Sequence, residues 1–387
     1  MPEALVTLAA VSRATPEVLE AARARLGSRN AVLVHDYLLV MRGAERTFAK
    51  MCDLFPGAPV STLLYDHGVF DERLAGHEVR TSPLQRLGLR QGNFRPFFPV
   101  MPLAAGRLPV AGHDLVVSSS SAFAHGVRPD PGAVHVCLCH TPFRYVWSER
   151  ENAMHMMPAP LRPLGSRMLD RIGRWDLEAS RRGTHYLSVG RLSQAYIRDF
   201  WGIDTPIVRQ PVELDRFSPA PQREGYALVV GELVRHKRID QALEAAKRAG
   251  VPIKVVGDGA DGERLRTLYA DSAEFLGRVD DDTLAELYSR ARVLIMTAVE
   301  EFGLTAVEAQ ASGCPVLAGA AGGVLETVVD GETGVLVPEG NVDAFAEVLS
   351  DDALDRMSVS AMVANAQRFS IAAFYEDLID NILIAAP

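Results

Sequence analysis

The sequence predicts an α/β protein of two units, each a doubly wound parallel sheet with helices on both faces, and three observations lead there. The chain has 387 residues, more than one compact core usually supports, so two domains of ~150–200 residues are expected. Short apolar or β-branched runs alternate throughout with helix-like segments, the pattern of parallel sheets wrapped by helices. At 213–225 (ELDRFSPAPQREG) proline, glycine and charge replace apolar periodicity. The boundary is placed near Pro219, giving domains 1–218 and 219–370, with residues 1–30 as an extra segment at the front.

In chain order, the first unit offers strands at Ala31 to His35, Leu115 to Ser118, Val134 to Cys139, Tyr186 to Val189 and Pro206 to Arg209. The second offers Ala227 to Val230, Ile253 to Val256, Ala273 to Leu276, Val293 to Met296, Pro315 to Ala318 and Gly334 to Val337. Met154 to Arg174, rich in Met, Pro, Arg and Gly, reads as an irregular connection leading into a helix. The terminal segment 371–387 has apolar residues at helical spacing and is expected to pack back on the first domain.

Composition narrows the function classes. With 48% hydrophobic and 23% charged residues, disorder and fibrous repeats are excluded. Cys52, Cys137, Cys139 and Cys314 follow neither a disulfide nor a metal pattern and read as buried thiols. The N-terminus lacks the basic and unbroken apolar stretches of a secretory signal, so a cytoplasmic location is expected. Ala309 to Leu325, the longest uncharged stretch, holds four glycines and a proline and is expected to break up rather than span a membrane.

Charge is uneven. Residues 258–387 carry 24 Asp/Glu against 7 Arg and no Lys, a net of −17, which leaves +8 of the total −9 for residues 1–257. Nine of the ten histidines also lie before residue 186, so the basic half is the better candidate for meeting an anionic partner, a phosphate-bearing substrate or an anionic membrane surface. No basic tract interleaved with aromatics points to nucleic acid. The segment Asn93 to Leu108 (NFRPFFPVMPLAAGRL) mixes aromatics, prolines and arginines and could be an acceptor-side lip or a peripheral membrane contact at the inner face.

The most informative stretch is Thr297 to Leu325, TAVEEFGLTAVEAQASGCPVLAGAAGGVL. A strand ends, an acidic turn follows, and a helix opens near Leu304. Glu300 on the loop and Glu308 on the helix, seven residues between them, can both face a strand-end cleft and accept hydrogen bonds from sugar or ribose hydroxyls. The amides of Gly303, Leu304 and Thr305 would face a diphosphate at the helix N-terminus. Upstream, Gly231-Glu232-Leu233-Val234-Arg235-His236-Lys237-Arg238 places cations after a strand, where they could neutralise a departing nucleoside diphosphate. In the first unit, Asp36 to Arg46 runs from a strand through a glycine turn into a helix start, and His140-Thr141-Pro142 ends another strand ahead of Arg144, Tyr145 and Trp147.

These motifs resemble retaining glycosyltransferases of the GT-B architecture, specifically glycosyltransferase family four, over nearly all of 31–384. The matching residues are Glu300, Phe302, Gly303, Glu308, Ala309, Gly313, Pro315, Val316, Gly322, Gly323 and Glu326. The resemblance implies two Rossmann-like domains facing across a cleft, with Glu300 on the donor sugar, Glu308 on the ribose and Lys237 on the diphosphate. Glu232 stands where many members carry a phosphate-binding arginine, and Arg235 or Arg238 could substitute. Gly257 in the Gly-Asp-Gly turn and Arg278 resemble the loops around the nucleotide. Gly43 matches the family's glycine loop, whose first glycine is Arg42 here. His140 with Arg144 and Tyr145 resembles a subgroup that includes mannosyltransferases of surface-polysaccharide assembly, which makes His140 and His125 catalytic candidates, His125 through contact with sugar or acceptor, and Arg144 and Tyr145 candidates for the acceptor, Arg144 for its phosphate. Trp175-Asp176 is assigned to packing. The implied reaction is transfer with retention, the acceptor attacking the face from which the nucleotide leaves, with no covalent nucleophile, cofactor or obligatory metal. Asp280-Asp281-Asp282 is read as opening a helix. GDP-mannose is the favoured donor, with UDP- or dTDP-sugars open; the acceptor is a glycan, a lipid-linked sugar or a small aglycone. A non-catalytic sugar-nucleotide-binding or partner protein on the same fold stays open as the alternative.

Overall fold

The computed structural model describes residues 16–387. The chain divides into two compact units, one of residues 16–209 with Phe374–Pro387, the other Gln210–Ala373. The division thus falls nine residues before Pro219, where the sequence places it. The front segment's residues 1–15, and with them most of the N-terminal stretch inspected for a signal, lie outside the described residues.

The first unit is built on six parallel strands, β1 (Ala31–His35), β2 (Val60–Thr62), β3 (Val79–Thr81), β4 (Leu115–Ser120), β5 (Val134–Cys139) and β6 (His185–Ser188), in the order β3-β2-β1-β4-β5-β6. The second holds β7 (Ala227–Val230), β8 (Ile253–Val256), β9 (Ala273–Gly277), β10 (Val293–Met296), β11 (Val316–Gly319) and β12 (Gly334–Val337), in the order β12-β11-β10-β7-β8-β9. Both orders are the doubly wound 3-2-1-4-5-6 arrangement of a Rossmann-like unit. Central strands are buried on both faces, as AVLVH in β1 and VLIM in β10 show, which is why they read as apolar runs rather than alternations.

In each sheet the winding reverses between two neighbouring strands: β1 and β4, joined in register from Ala31↔Leu115 to His35↔Ser119, and β7 and β10, joined at Val293↔Ala227 and Leu294↔Leu228. Loops leaving the carboxyl ends of such a pair diverge to opposite faces and open a crevice where ligands bind.

Several expectations are corrected. β2 and β3, three residues each, are too short to carry a periodic signal and were not anticipated. Pro206 to Arg209 is not a strand and makes only the single bridge Ser188↔Ile207, since Pro206 has no N–H to donate to a ladder. The connection 154–174 is largely helical, with helices Arg150–Met156 and Arg162–Ser180; Pro163 sits in the opening turn of the second, where its missing N–H costs nothing. The uncharged stretch 309–325 breaks into the end of the helix Leu304–Ala311, strand β11 and a glycine turn. No helix among the described residues is long and apolar enough to cross a membrane. All four cysteines are buried free thiols.

Residues Phe374–Pro387 belong to the same unit as 16–209. The terminal helix Ile371–Ala385 is tied there by Tyr375, whose hydroxyl donates to Asp53 Oδ2 at 3.3 Å, by the ion pair Arg209–Asp377 at 3.2 Å and by the pair Arg25–Asp380.

Candidate active site

In the Gln210–Ala373 unit, the loops leaving β7 and β10 meet at the switch point. After β7 the chain turns through Arg235–Lys237 and starts the helix Ile239–Ala249 at Arg238, which holds φ +51°, the one positive φ among the described non-glycine residues. Thr297, at the end of β10, donates its hydroxyl to the carbonyls of Lys237 and Arg238 at 3.0 and 2.9 Å, locking one loop to the other. The result is an ion pair between elements 63 residues apart: Lys237 Nζ donates to Glu300 Oε1 at 2.6 Å, both side chains partly exposed. A cation and a carboxylate are thereby presented together at the switch point.

The glycines explain how the loops come this close. A Cβ on Gly322 would stand 2.5 Å from the Glu300 carbonyl, and one on Gly323 2.2 Å from the carbonyl carbon of Phe302. The Gly323 amide instead donates to the Glu300 carbonyl at 2.7 Å. The Gly-Gly pair is therefore the seat of the acidic loop. Gly303 takes φ +85° where the helix Leu304–Ala311 begins, a conformation glycine adopts without steric cost. Gly257, φ +133°, lies so near β7's loop that a Cβ would meet the Gly231 carbonyl oxygen at 1.9 Å; its site role is backbone close packing beside the cationic turn.

The remaining expected donor residues separate. Glu308 is half-buried and accepts from the Tyr288 hydroxyl at 3.0 Å; burial first, then the Glu308 charge, pushes that phenol well above its usual range. Leu304 and Thr305 stand in the helix's first turn. Phe302 is 3% exposed and packs edge-on against Phe369, ring centres 5.4 Å apart, so its side chain belongs to the core. Arg235 pairs with Asp261 at 3.1 Å and Arg238 with Glu339 at 2.5 Å; each arginine offered as a substitute at position 232 thus has a carboxylate of its own. Arg278 is exposed just beyond β9. Asp280 caps the helix Asp281–Arg290, accepting from the Thr283 amide at 2.7 Å, which places the helix start two residues before Thr283.

In the first unit the strand ends converge on Asp36, which sequence reasoning passed over. Its buried carboxylate accepts from the amides of Ser121, Phe123 and Ala124 at 2.5, 2.6 and 2.6 Å, fixing the loop after β4. The signal was present: an acid directly after a buried strand must find donors or be expelled. His140, at the end of β5, shares a 3.0 Å hydrogen bond with Ser119 Oγ, and burial, then the charges of His35 and Arg144, holds its pKa down to about 3. It stays neutral. Gly43 is the first residue of the helix Gly43–Asp53, in which Glu45 reaches back to the Arg42 amide at 3.1 Å. Arg144 pairs with Glu149 at 3.4 Å, and Tyr145 stacks edge-on against Phe143.

His125 is not placed to contact sugar or acceptor. It is 2% exposed, ringed by Trp175, Trp201 and Tyr186, and burial holds its pKa down to about 3. Its Nε2 stands 3.4 Å from Asp176 Oδ1, and neither atom makes a hydrogen bond. The other oxygen of Asp176 accepts from the indoles of Trp147 and Trp201 at 2.8 and 2.7 Å. Trp175-Asp176 is indeed packing, and His125 belongs with it.

Comparison with known proteins fits this geometry. Residues 212–369 match the family described as glycosyl transferases group 1. Among curated relatives, the D-inositol 3-phosphate glycosyltransferase of Streptomyces avermitilis is 35% identical over 193 residues, 41% of each chain. The GDP-mannose-dependent alpha-mannosyltransferase of Mycobacterium tuberculosis is 32% identical over 174 residues, 42% of this chain and 43% of that one. The match thus spans about two fifths of these relatives' length. Among solved structures, sucrose-phosphate synthase from Thermosynechococcus elongatus superposes with TM-score 0.69, and HepE from Anabaena in complex with UDP with 0.67; each is 17% identical, covering 92% of this chain and 100% of the other. The fold is that of the GT-B glycosyltransferases, two Rossmann-like α/β units.

Proposed function

We propose that the chain is a retaining glycosyltransferase that moves a sugar from a nucleotide-sugar donor to an acceptor hydroxyl. The observation that carries the reading is the Lys237–Glu300 pair at the β7/β10 switch point, held by Thr297 on one side and the Gly322-Gly323 seat on the other. On donor binding the diphosphate takes the Lys237 ammonium, and Glu300, released from its cation, accepts hydrogen bonds from hydroxyls of the sugar. The first amides of the helix Leu304–Ala311, lacking intrahelical acceptors, face the same developing negative charge. Glu308, oriented by Tyr288, is assigned to the ribose. Preorganised charge of this kind lowers the barrier to nucleotide departure without a covalent nucleophile, and the reading assigns no step to a metal. His140, neutral and tied to Ser119, acts as a positioning hydrogen-bonder rather than a proton carrier. Arg144 and Tyr145 are assigned to the acceptor. The His140–Trp147 segment and the similarity to a GDP-mannose-dependent enzyme favour a GDP-mannose donor.

Incubation with a panel of nucleotide sugars, following nucleoside diphosphate release, names the base and sugar. Glu300→Ala should lower turnover by about 10²–10³-fold while nucleotide binding persists; unchanged turnover contradicts the assignment. Binding of a sugar nucleotide with no diphosphate release over the whole panel would favour the non-catalytic alternative.

A further inference from the structure

A second, separate pocket lies on the flank of the first unit. Its volume is about 330 Å³, and its walls are Pro99, Pro102, Leu103, Gly106, Ile172 and Trp175, at the small end of the ~300–1,000 Å³ range of small-molecule sites. Three arginines also line it: Arg107 at the end of the 93–108 segment, Arg128 in the connection from β4 to β5, and Arg171 on the helix Arg162–Ser180. None of the three guanidinium groups has a carboxylate or hydrogen-bond partner among the described residues, in a protein whose other arginines are repeatedly paired. The pocket is also built. Gly126 is indispensable to its back wall, since a Cβ there would stand 2.3 Å from the Trp175 ring. Cations crowd beyond it as well: Arg182 is held below its ordinary value by loss of water and then by the charge of Arg128. On the rim the apolar side continues outward through Leu103, 59% exposed, and Val100, 43% exposed.

Three unpaired guanidiniums converging beside an apolar, proline-lined wall are complementary to one kind of ligand. We propose that this pocket binds a phosphate ester joined to an alkyl or isoprenyl chain, the phosphate held by Arg107, Arg128 and Arg171 and the first carbons of the chain laid on Pro99, Pro102 and Leu103. Guanidinium groups recognise phosphate through charge-assisted, often bidentate hydrogen bonds, and the exposed Leu103 and Val100 would receive the chain where it leaves the pocket. The site uses none of the residues assigned to sugar transfer, so it stands or falls independently of that assignment.

The test uses the full chain and four probes: octyl phosphate below its micelle concentration, inorganic phosphate, octyl glucoside, and vesicles of phosphatidylcholine with or without phosphatidic acid. Octyl phosphate should bind at least about tenfold more tightly than either inorganic phosphate or octyl glucoside, because it alone engages both halves of the pocket. The variant R107A/R128A/R171A, all exposed positions, should lose that binding with its thermal unfolding unchanged, and Leu103→Gln should weaken octyl phosphate while leaving inorganic phosphate as it was. Recruitment to phosphatidic acid vesicles that the triple variant loses identifies a membrane lipid as the source; octyl phosphate binding without vesicle recruitment identifies a soluble phosphoester. Equal affinity for octyl phosphate in the parent and the triple variant, or inorganic phosphate binding as tightly as octyl phosphate, overturns the proposal.

Discussion

Asp36 shows how much a single side chain can hold. A buried carboxylate with three amides on it is costly to remove, because each donor left without an acceptor forfeits about 1–3 kcal/mol. Asp36→Ala should therefore lower the unfolding free energy in urea by at least about 3 kcal/mol and loosen the loop after β4, seen as faster amide exchange at Ser121, Phe123 and Ala124; Asp36→Asn, keeping one acceptor oxygen, should fall between. Gly323 makes the opposite case, a residue defined by what it lacks. With Phe302 backbone atoms 2.2 Å from where a methyl would go, Gly323→Ala must displace the acidic loop, a strain of about 1–3 kcal/mol accompanied by loss of donor turnover. A variant with parental stability and turnover would show that the loop is not seated there.

At the scale of the element, the helix Leu304–Ala311 is anchored from below by an amide network. Gln310 donates to the carbonyls of Ala306 and Thr327 at 3.0 and 2.7 Å, and Asn365 donates to Gln310 Oε1 and to the Thr327 carbonyl at 2.6 and 2.8 Å. Gln310 is fully buried, so Gln310→Leu leaves Asn365 and Thr327 short of a partner and should cost about 1–3 kcal/mol, with weaker nucleotide binding because the helix that carries Glu308 shifts. The helix itself was legible in the chain, since its glycine start and small-residue face are local features. Asn365 was not, because nothing near residue 365 marks it as the partner of a side chain 55 residues away. Strands β2 and β3 escaped notice for a related reason: three residues cannot show a period, and their strand state is conferred by pairing, β2 with β1 and β3 with β2.

For the molecule as a whole, the buried histidines set an acid limit. His125, His135 and His140 are each held near pKa 3 by burial against an ordinary 6.5. As pH falls below 6.5 the unfolded chain takes up these protons and the folded chain does not, so stability declines down to about pH 3. Asp176 acts in the other direction: burial raises its pKa to about 7 from 3.8, so between those values the folded state holds the extra proton and gains stability on acidification. Three groups against one leave a net uptake of about two protons on unfolding near pH 5, with about 1.4 kcal/mol per pH unit for each. Urea midpoints should fall steeply from pH 7 to pH 5, and His135→Gln should flatten the slope by about one proton; a flat profile would contradict the neutral, buried assignment of all three rings.

The chain by itself determined the two wound sheets, the order of Glu300, Glu308 and the Gly-Gly pair, and the cationic turn ending in Lys237, because strand burial, turn chemistry and motif spacing are written in residues close to one another. Only the tertiary structure decided which charge meets which. It put Lys237 on Glu300 and sent Arg235 and Arg238 to other carboxylates, closed His125 inside a tryptophan box, and gathered three scattered arginines around one pocket. Those outcomes depend on contacts between segments tens of residues apart, whose meeting is settled by how whole elements pack and not by any local preference of the residues involved.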